Sequence, residues 1–91
     1  MALVAIFDVP GMTAEQYDQT VRELEKAELG NPDGRLYHVA ASKDGGWLVV
    51  DVWESEEKFG KFGESLIPIL QGAGVPPEEP KIYPVHNTIR G

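Results

Sequence analysis

The apolar positions of this chain recur with two different periods. Residues 2 to 9, ALVAIFDV, are nearly all apolar and β-rich, as expected of a strand covered on both faces. Pro10-Gly11 ends the run, and Thr13-Ala14-Glu15-Gln16 reads as a capping box. The helix it opens carries Ala14, Tyr17, Val21, Leu24 and Ala27 on one stripe, with Glu15, Asp18, Arg22, Glu25 and Lys26 facing water. Gly30-Asn31-Pro32 is its stop signal. From residue 35 to 55, RLYHVAASKDGGWLVVDVWES, two strands flank Asp44-Gly45-Gly46, where glycine supplies the positive φ of a tight hairpin. Ser55 then caps a second helix, with Glu56 and Glu57 in its first turn and a stripe of Phe59, Phe62, Leu66 and Leu70.

Within that second helix Gly60 and Gly63 each weaken the helix by about 1 kcal/mol relative to alanine. A short or frayed helix is expected unless something packs closely against them, with a bend or a new turn at Pro68. Gln71 to Pro80 reads as a Gly/Pro loop, and Lys81 to Asn87, KIYPVHN, as a last strand. Pro84 confines that strand to an edge or a bulge, because proline has no N–H for the ladder.

The order β-α-β-β-α-β predicts an α+β, ferredoxin-like domain spanning 1–91: one antiparallel four-stranded sheet with two helices on one face. The favoured hairpin register pairs Ser42 with Trp47, Ala40 with Val49, His38 with Asp51, and Leu36 with Trp53. One face then holds Tyr37, Val39, Ala41, Leu48, Val50 and Val52, and is expected beneath the helices. The other face holds Leu36, His38, Ala40, Ser42, Trp47, Val49, Asp51 and Trp53. An uncovered face with two tryptophans calls for a partner, so a second copy packing sheet to sheet is expected, making a homodimer.

At 91 residues, 42% hydrophobic and 25% charged, the composition is that of one globular domain. The absence of cysteine excludes thiol chemistry and suits a reducing cytoplasm. The apolar run Ala2 to Phe7 is too short for a signal sequence, and no stretch approaches a membrane span. A net charge of −7 with eight scattered basic residues argues against a nucleic-acid surface.

His38 and Asp51 are the candidate catalytic residues. Directly opposed across the hairpin, a carboxylate fixes the imidazole tautomer and raises its basicity, as a general base near neutral pH requires. The competing account is a satisfied polar pair within an interface. Trp53, Trp47, Val49 and Leu36 share their face and are candidate substrate contacts, the indoles as walls for a flat aromatic molecule. His86 is a further candidate, its facing left open by Pro84. Tyr17, Tyr37 and Tyr83 could reach a pocket from its edges, but packing is the favoured account of each. His38, His86 and Asp51 lack the spacing of a ligand set, so no metal is expected. No phosphate loop, nucleophile elbow or dinucleotide fingerprint is present, and no nucleotide cofactor is expected.

The strand pattern and the run GWLVVDVWESEEKFGKF resemble the antibiotic biosynthesis monooxygenase-like proteins of the dimeric α+β-barrel superfamily, in which a strand often ends in an aromatic just before the second helix, as Trp53-Glu54-Ser55 does here. The resemblance implies a barrel of two protomers, each with a pocket between sheet and helices. It further implies a small-molecule enzyme related to cofactor-independent monooxygenases of phenolic or polyketide-like substrates. Isomerase or cyclase chemistry, haem degradation, and a non-catalytic barrel binding an apolar ligand or a partner protein are the alternatives the same superfamily offers.

Overall fold

Six elements follow one another in the order the pattern predicts. The computed structural model describes residues 1–76 and 78–91. Its elements are β1 (Leu3–Pro10), α1 (Ala14–Lys26), β2 (Arg35–Lys43), β3 (Gly46–Trp53), α2 (Glu56–Gly72) and β4 (Lys81–Pro84). The strands form one antiparallel sheet in the order β2-β3-β1-β4, which is the ferredoxin-like arrangement. No described helix is long and apolar enough to cross a membrane.

Local chemistry explains the boundaries. Thr13 accepts from the Gln16 N–H at 3.2 Å while Gln16 Oε1 accepts from the Thr13 N–H at 3.0 Å, a reciprocal capping box. The helix ends earlier than Gly30-Asn31-Pro32 suggests. Ala27 is the C-cap and Glu28 takes the left-handed conformation (φ 62°). The Leu29 N–H then donates to the Leu24 carbonyl at 2.7 Å, a Schellman closure, and Leu29 packs on the core. In the hairpin, Asp44-Gly45 is the two-residue loop, with Gly45 at φ 73° and Lys43 opposite Gly46.

The helices lie on the face opposite to the one expected. Trp53 is 0% exposed, packed with Leu3, Ala5, Leu24 and Phe62. Its ring centroid lies 5.6 Å from that of Phe59 and 5.2 Å from that of Phe62, so α2 covers the face of Trp53, Asp51 and His38. The aliphatic face stays open: Val39 is 60% exposed, and Tyr37, Ala41 and Tyr83 are exposed too. Large aromatics bridge the gap between sheet and helix, while a flat row of β-branched residues suits another sheet.

Three further expectations change in detail. Ser42, Ala40 and His38 pair as predicted with Trp47, Val49 and Asp51, but Arg35, not Leu36, stands opposite Trp53, because a β-bulge falls between Arg35 and Tyr37. Helix α2 is not short: it runs 17 residues through Pro68, held by the packing of Phe59, Phe62, Leu66 and Ile69 on the core. Nothing approaches a Cβ built at Gly60 or Gly63, so close packing is not what places glycine there. Strand β4 is an edge strand but stops at Pro84, opposite Leu3. The segment after it reaches back to β2, where Arg90 Nε donates to the Tyr37 hydroxyl at 2.7 Å.

The left-handed Glu28 is a strained choice, since its Cβ crowds the following carbonyl and glycine carries no such penalty. Glu28→Gly is expected to raise stability by about 1 kcal/mol in urea denaturation. An unchanged or lower midpoint would show that the side chain contributes more than its backbone strain costs.

Candidate functional site

With the helices over the mixed face, a cleft of about 800 Å³ opens between α1 and α2, floored by the sheet. Phe7, Val9 and Val49 line it from the sheet, Tyr17, Val21 and Leu24 from α1, and Phe59, Leu66 and Leu70 from α2. Residues 75, 76 and 78–80 close the end towards β4. The lining is predominantly apolar, the character of a site for a hydrophobic small molecule.

One chain of polar side chains crosses this apolar wall. Asp51 lies on the central strand β3 with its side chain only 5% exposed, and its Oδ1 is 2.5 Å from His38 Nδ1 on β2. The Trp53 indole N–H points at the other carboxylate oxygen, 3.4 Å away. His38 Nε2 is 2.6 Å from the hydroxyl of Tyr17 on α1. The two rings are nearly parallel, with an interplanar angle of 10°. With Asp51 ionised, Nδ1 carries the imidazole proton, and Nε2 accepts from the Tyr17 O–H. The order Asp51–His38–Tyr17 therefore leads from a buried carboxylate to a phenol on the cleft wall.

Burial holds the Tyr17 hydroxyl above the ordinary tyrosine range, with the negative charges of Asp51 and Asp18 acting in the same direction. The Arg35 guanidinium works against that rise. At neutral pH Tyr17 is a neutral donor. The arrangement can pass a proton between a molecule in the cleft and His38, with Asp51 stabilising the imidazolium that results.

Of the residues singled out by sequence, His38, Asp51 and Val49 line the cleft. Trp53 does not; it is core beneath the site and serves Asp51 through its indole N–H. Trp47 stacks on Tyr17 at 5.2 Å between centroids, supporting the site from the side and not lining it. Leu36, at the bulge, is 52% exposed and outside the cleft. His86 follows β4, is exposed, and is not in the cleft wall. Among the described residues no three His, Asp or Glu side chains gather as a metal site would require.

Arg35 escaped the sequence reading, and Tyr17 figured there at the edge of a pocket but with packing as the favoured account. Tyr17 sits on the apolar stripe of α1, and a hydroxyl on a stripe that must face the sheet was the available signal. Arg35 reaches the cleft through the bulge, which leaves no trace in the pattern.

No family model matches the chain, and no curated protein matches it. Solved structures do. SnoaB, a cofactor-independent oxygenase from Streptomyces nogalater, superposes with a TM-score of 0.63 at 19% identity, over 99% of this chain and 96% of its own. A candidate antibiotic biosynthesis monooxygenase from Deinococcus radiodurans gives 0.63 at 17% identity, over 99% of this chain and 97% of its own. A third such protein, from Chloroflexus aurantiacus, gives 0.60 at 18% identity over the full length of both chains. The chain thus has the fold of the antibiotic biosynthesis monooxygenase-like proteins.

The raised Tyr17 phenol makes a pH-dependent prediction. Because folding favours its protonated form, its share of stability is complete below about pH 10 and is lost as pH rises through the higher folded value. In a near-ultraviolet phenolate titration, one of the three tyrosines should ionise late, and Tyr17→Phe should remove that late step. Loss of an early step instead would contradict the assignment.

Proposed function

We propose that this chain is a small-molecule enzyme with the chemistry of a cofactor-independent monooxygenase, acting on a flat phenolic or polyketide-like substrate. The observation that carries the reading is the Asp51–His38–Tyr17 chain opening on an apolar cleft. The fold shared with SnoaB supports the reaction class.

In this reading, an acidic C–H of the bound substrate gives its proton to the Tyr17 oxygen while the Tyr17 proton moves to His38 Nε2. The imidazolium is stabilised by Asp51. The substrate carbanion, its charge spread over the phenolic rings, supplies electrons to dioxygen and forms a C–O bond. The peroxide anion takes the proton back from the His38 imidazolium through Tyr17 to give a hydroperoxide. Loss of water from the resulting hydroperoxide converts a methylene to a carbonyl. One oxygen atom ends in product and one in water, and all four electrons come from the substrate, so no further reductant enters. His38 is the base, oriented by Asp51, and Tyr17 is the relay that faces the ligand.

The same reading includes a homodimer. What supports it is the open aliphatic face, with Val39 60% exposed and Val50 and Val52 beside it on β3. A second copy packed sheet to sheet would bury these residues and leave both clefts accessible on the outer, helical sides. The contact therefore uses the face opposite to the one that sequence patterning suggested.

Oxygen uptake with 1,8-dihydroxyanthrone tests the catalytic part. His38→Ala should fold with the same circular dichroism yet lose roughly 10²–10⁴-fold in rate, the usual contribution of a positioned base. Unchanged turnover in that variant would remove the base assignment. For the assembly, light scattering should give a dimer for the parent chain and a folded monomer for Val39→Asp with Val50→Asp. A monomeric parent would sink it.

A further inference from the structure

The bulge between Arg35 and Tyr37 does more than shift register. In the regular ladder Leu36 would stand opposite Trp53 and face the helices. The extra residue turns Leu36 outward and sets Arg35 on the helical side, among the residues that line the cleft. Its guanidinium Nη2 donates to the Gly30 carbonyl at 3.0 Å, which fixes the end of the side chain and leaves most of its N–H groups uncommitted. Its charge is felt at the Tyr17 hydroxyl.

Among the described lining residues, Arg35 is the one permanent cation. Asp51 is committed to His38, and Glu78 and Glu79 line the cleft from the loop entering β4, the edge strand opposite Arg35's. The cleft is thus polarised, positive at the β2 edge and negative at the β4 side, in a chain whose net charge of −7 otherwise repels anions.

Resting on the small-molecule reading above, we infer that Arg35 selects and orients the ligand by binding an anionic oxygen on it, a phenolate, carboxylate or sulfonate attached to an apolar ring system. A planar guanidinium suits such oxygens geometrically. The anion sits at the β2 edge beside Tyr17, and the neutral end of the ring system extends along the apolar cleft towards the β4 loop.

Two fluorescent probes with one skeleton test this: 1-anilinonaphthalene-8-sulfonate, which is anionic, and N-phenyl-1-naphthylamine, which is neutral. The parent protein should prefer the sulfonate by about tenfold, the yield of one charge-assisted hydrogen bond. In Arg35→Gln that preference should collapse to within roughly twofold while the neutral probe keeps its affinity, and Arg35→Lys should recover part of it. Gly63→Leu should weaken both probes, because Gly63 lines the cleft and a side chain built there meets open space. Thermal melts of all three variants check folding. Equal loss of both probes in Arg35→Gln would reduce Arg35 to a piece of wall, and an unchanged preference would exclude it as the anion site. Either result overturns the inference. Failure of both probes to bind the parent, or their indifference to Gly63→Leu, would bring down the cleft reading and this inference with it.

Discussion

Burial of Trp53 fixes which side of this sheet can work. An indole that is fully enclosed by Phe59, Phe62, Leu24 and the β1 side chains forces α2 to cross its face of the sheet. Asp51 lies two residues earlier on β3 and shares that face, so the same packing takes a carboxylate out of water. A buried carboxylate without partners is costly, and the fold provides them from the neighbouring strand and from the anchoring residue itself: the His38 imidazole and the Trp53 indole N–H. His38 in turn fixes where the Tyr17 phenol of α1 rests. The site is a by-product of one aromatic cluster, propagated by hydrogen bonds.

The element order, the hairpin register and the His38–Asp51 pairing were legible because they depend on local signals: a capping box, a Gly turn and a period of two. The covered face was not. Counting apolar residues ranks Tyr37, Val39, Leu48, Val50 and Val52 above a face with a histidine and an aspartate. Apolar content does not distinguish a face for helices from a face for another sheet. Shape does, since Trp53 reaches across a helix–sheet gap and β-branched residues do not. The better clue was Trp53-Glu54-Ser55: a large aromatic immediately before a helix cap is placed where that helix must return over it.

The other departures have equally specific causes. Exchange of Leu36 for Arg35 in the cleft comes from one inserted residue, a backbone irregularity to which side-chain periodicity is blind. Helix α2 persists through two glycines and a proline because its aromatic and aliphatic stripe is anchored to the core, and tertiary packing outweighs a propensity deficit of about 1 kcal/mol per glycine.

A buried polar pair can often give way to two aliphatic residues of similar volume without loss of stability. This one is enclosed at Asp51, whose side chain is 5% exposed, and more open at His38, whose side chain is 27% exposed. Tyr17, half-buried, carries the hydrogen-bond chain onto the cleft wall, where burial raises its hydroxyl above the ordinary tyrosine range. A cleft of about 800 Å³ in a chain of 91 residues also forgoes dispersion contacts that a filled core would make. In the proposed reading, the order from buried carboxylate through imidazole to phenol is the direction along which a proton leaves a ligand and reaches a stabilised imidazolium.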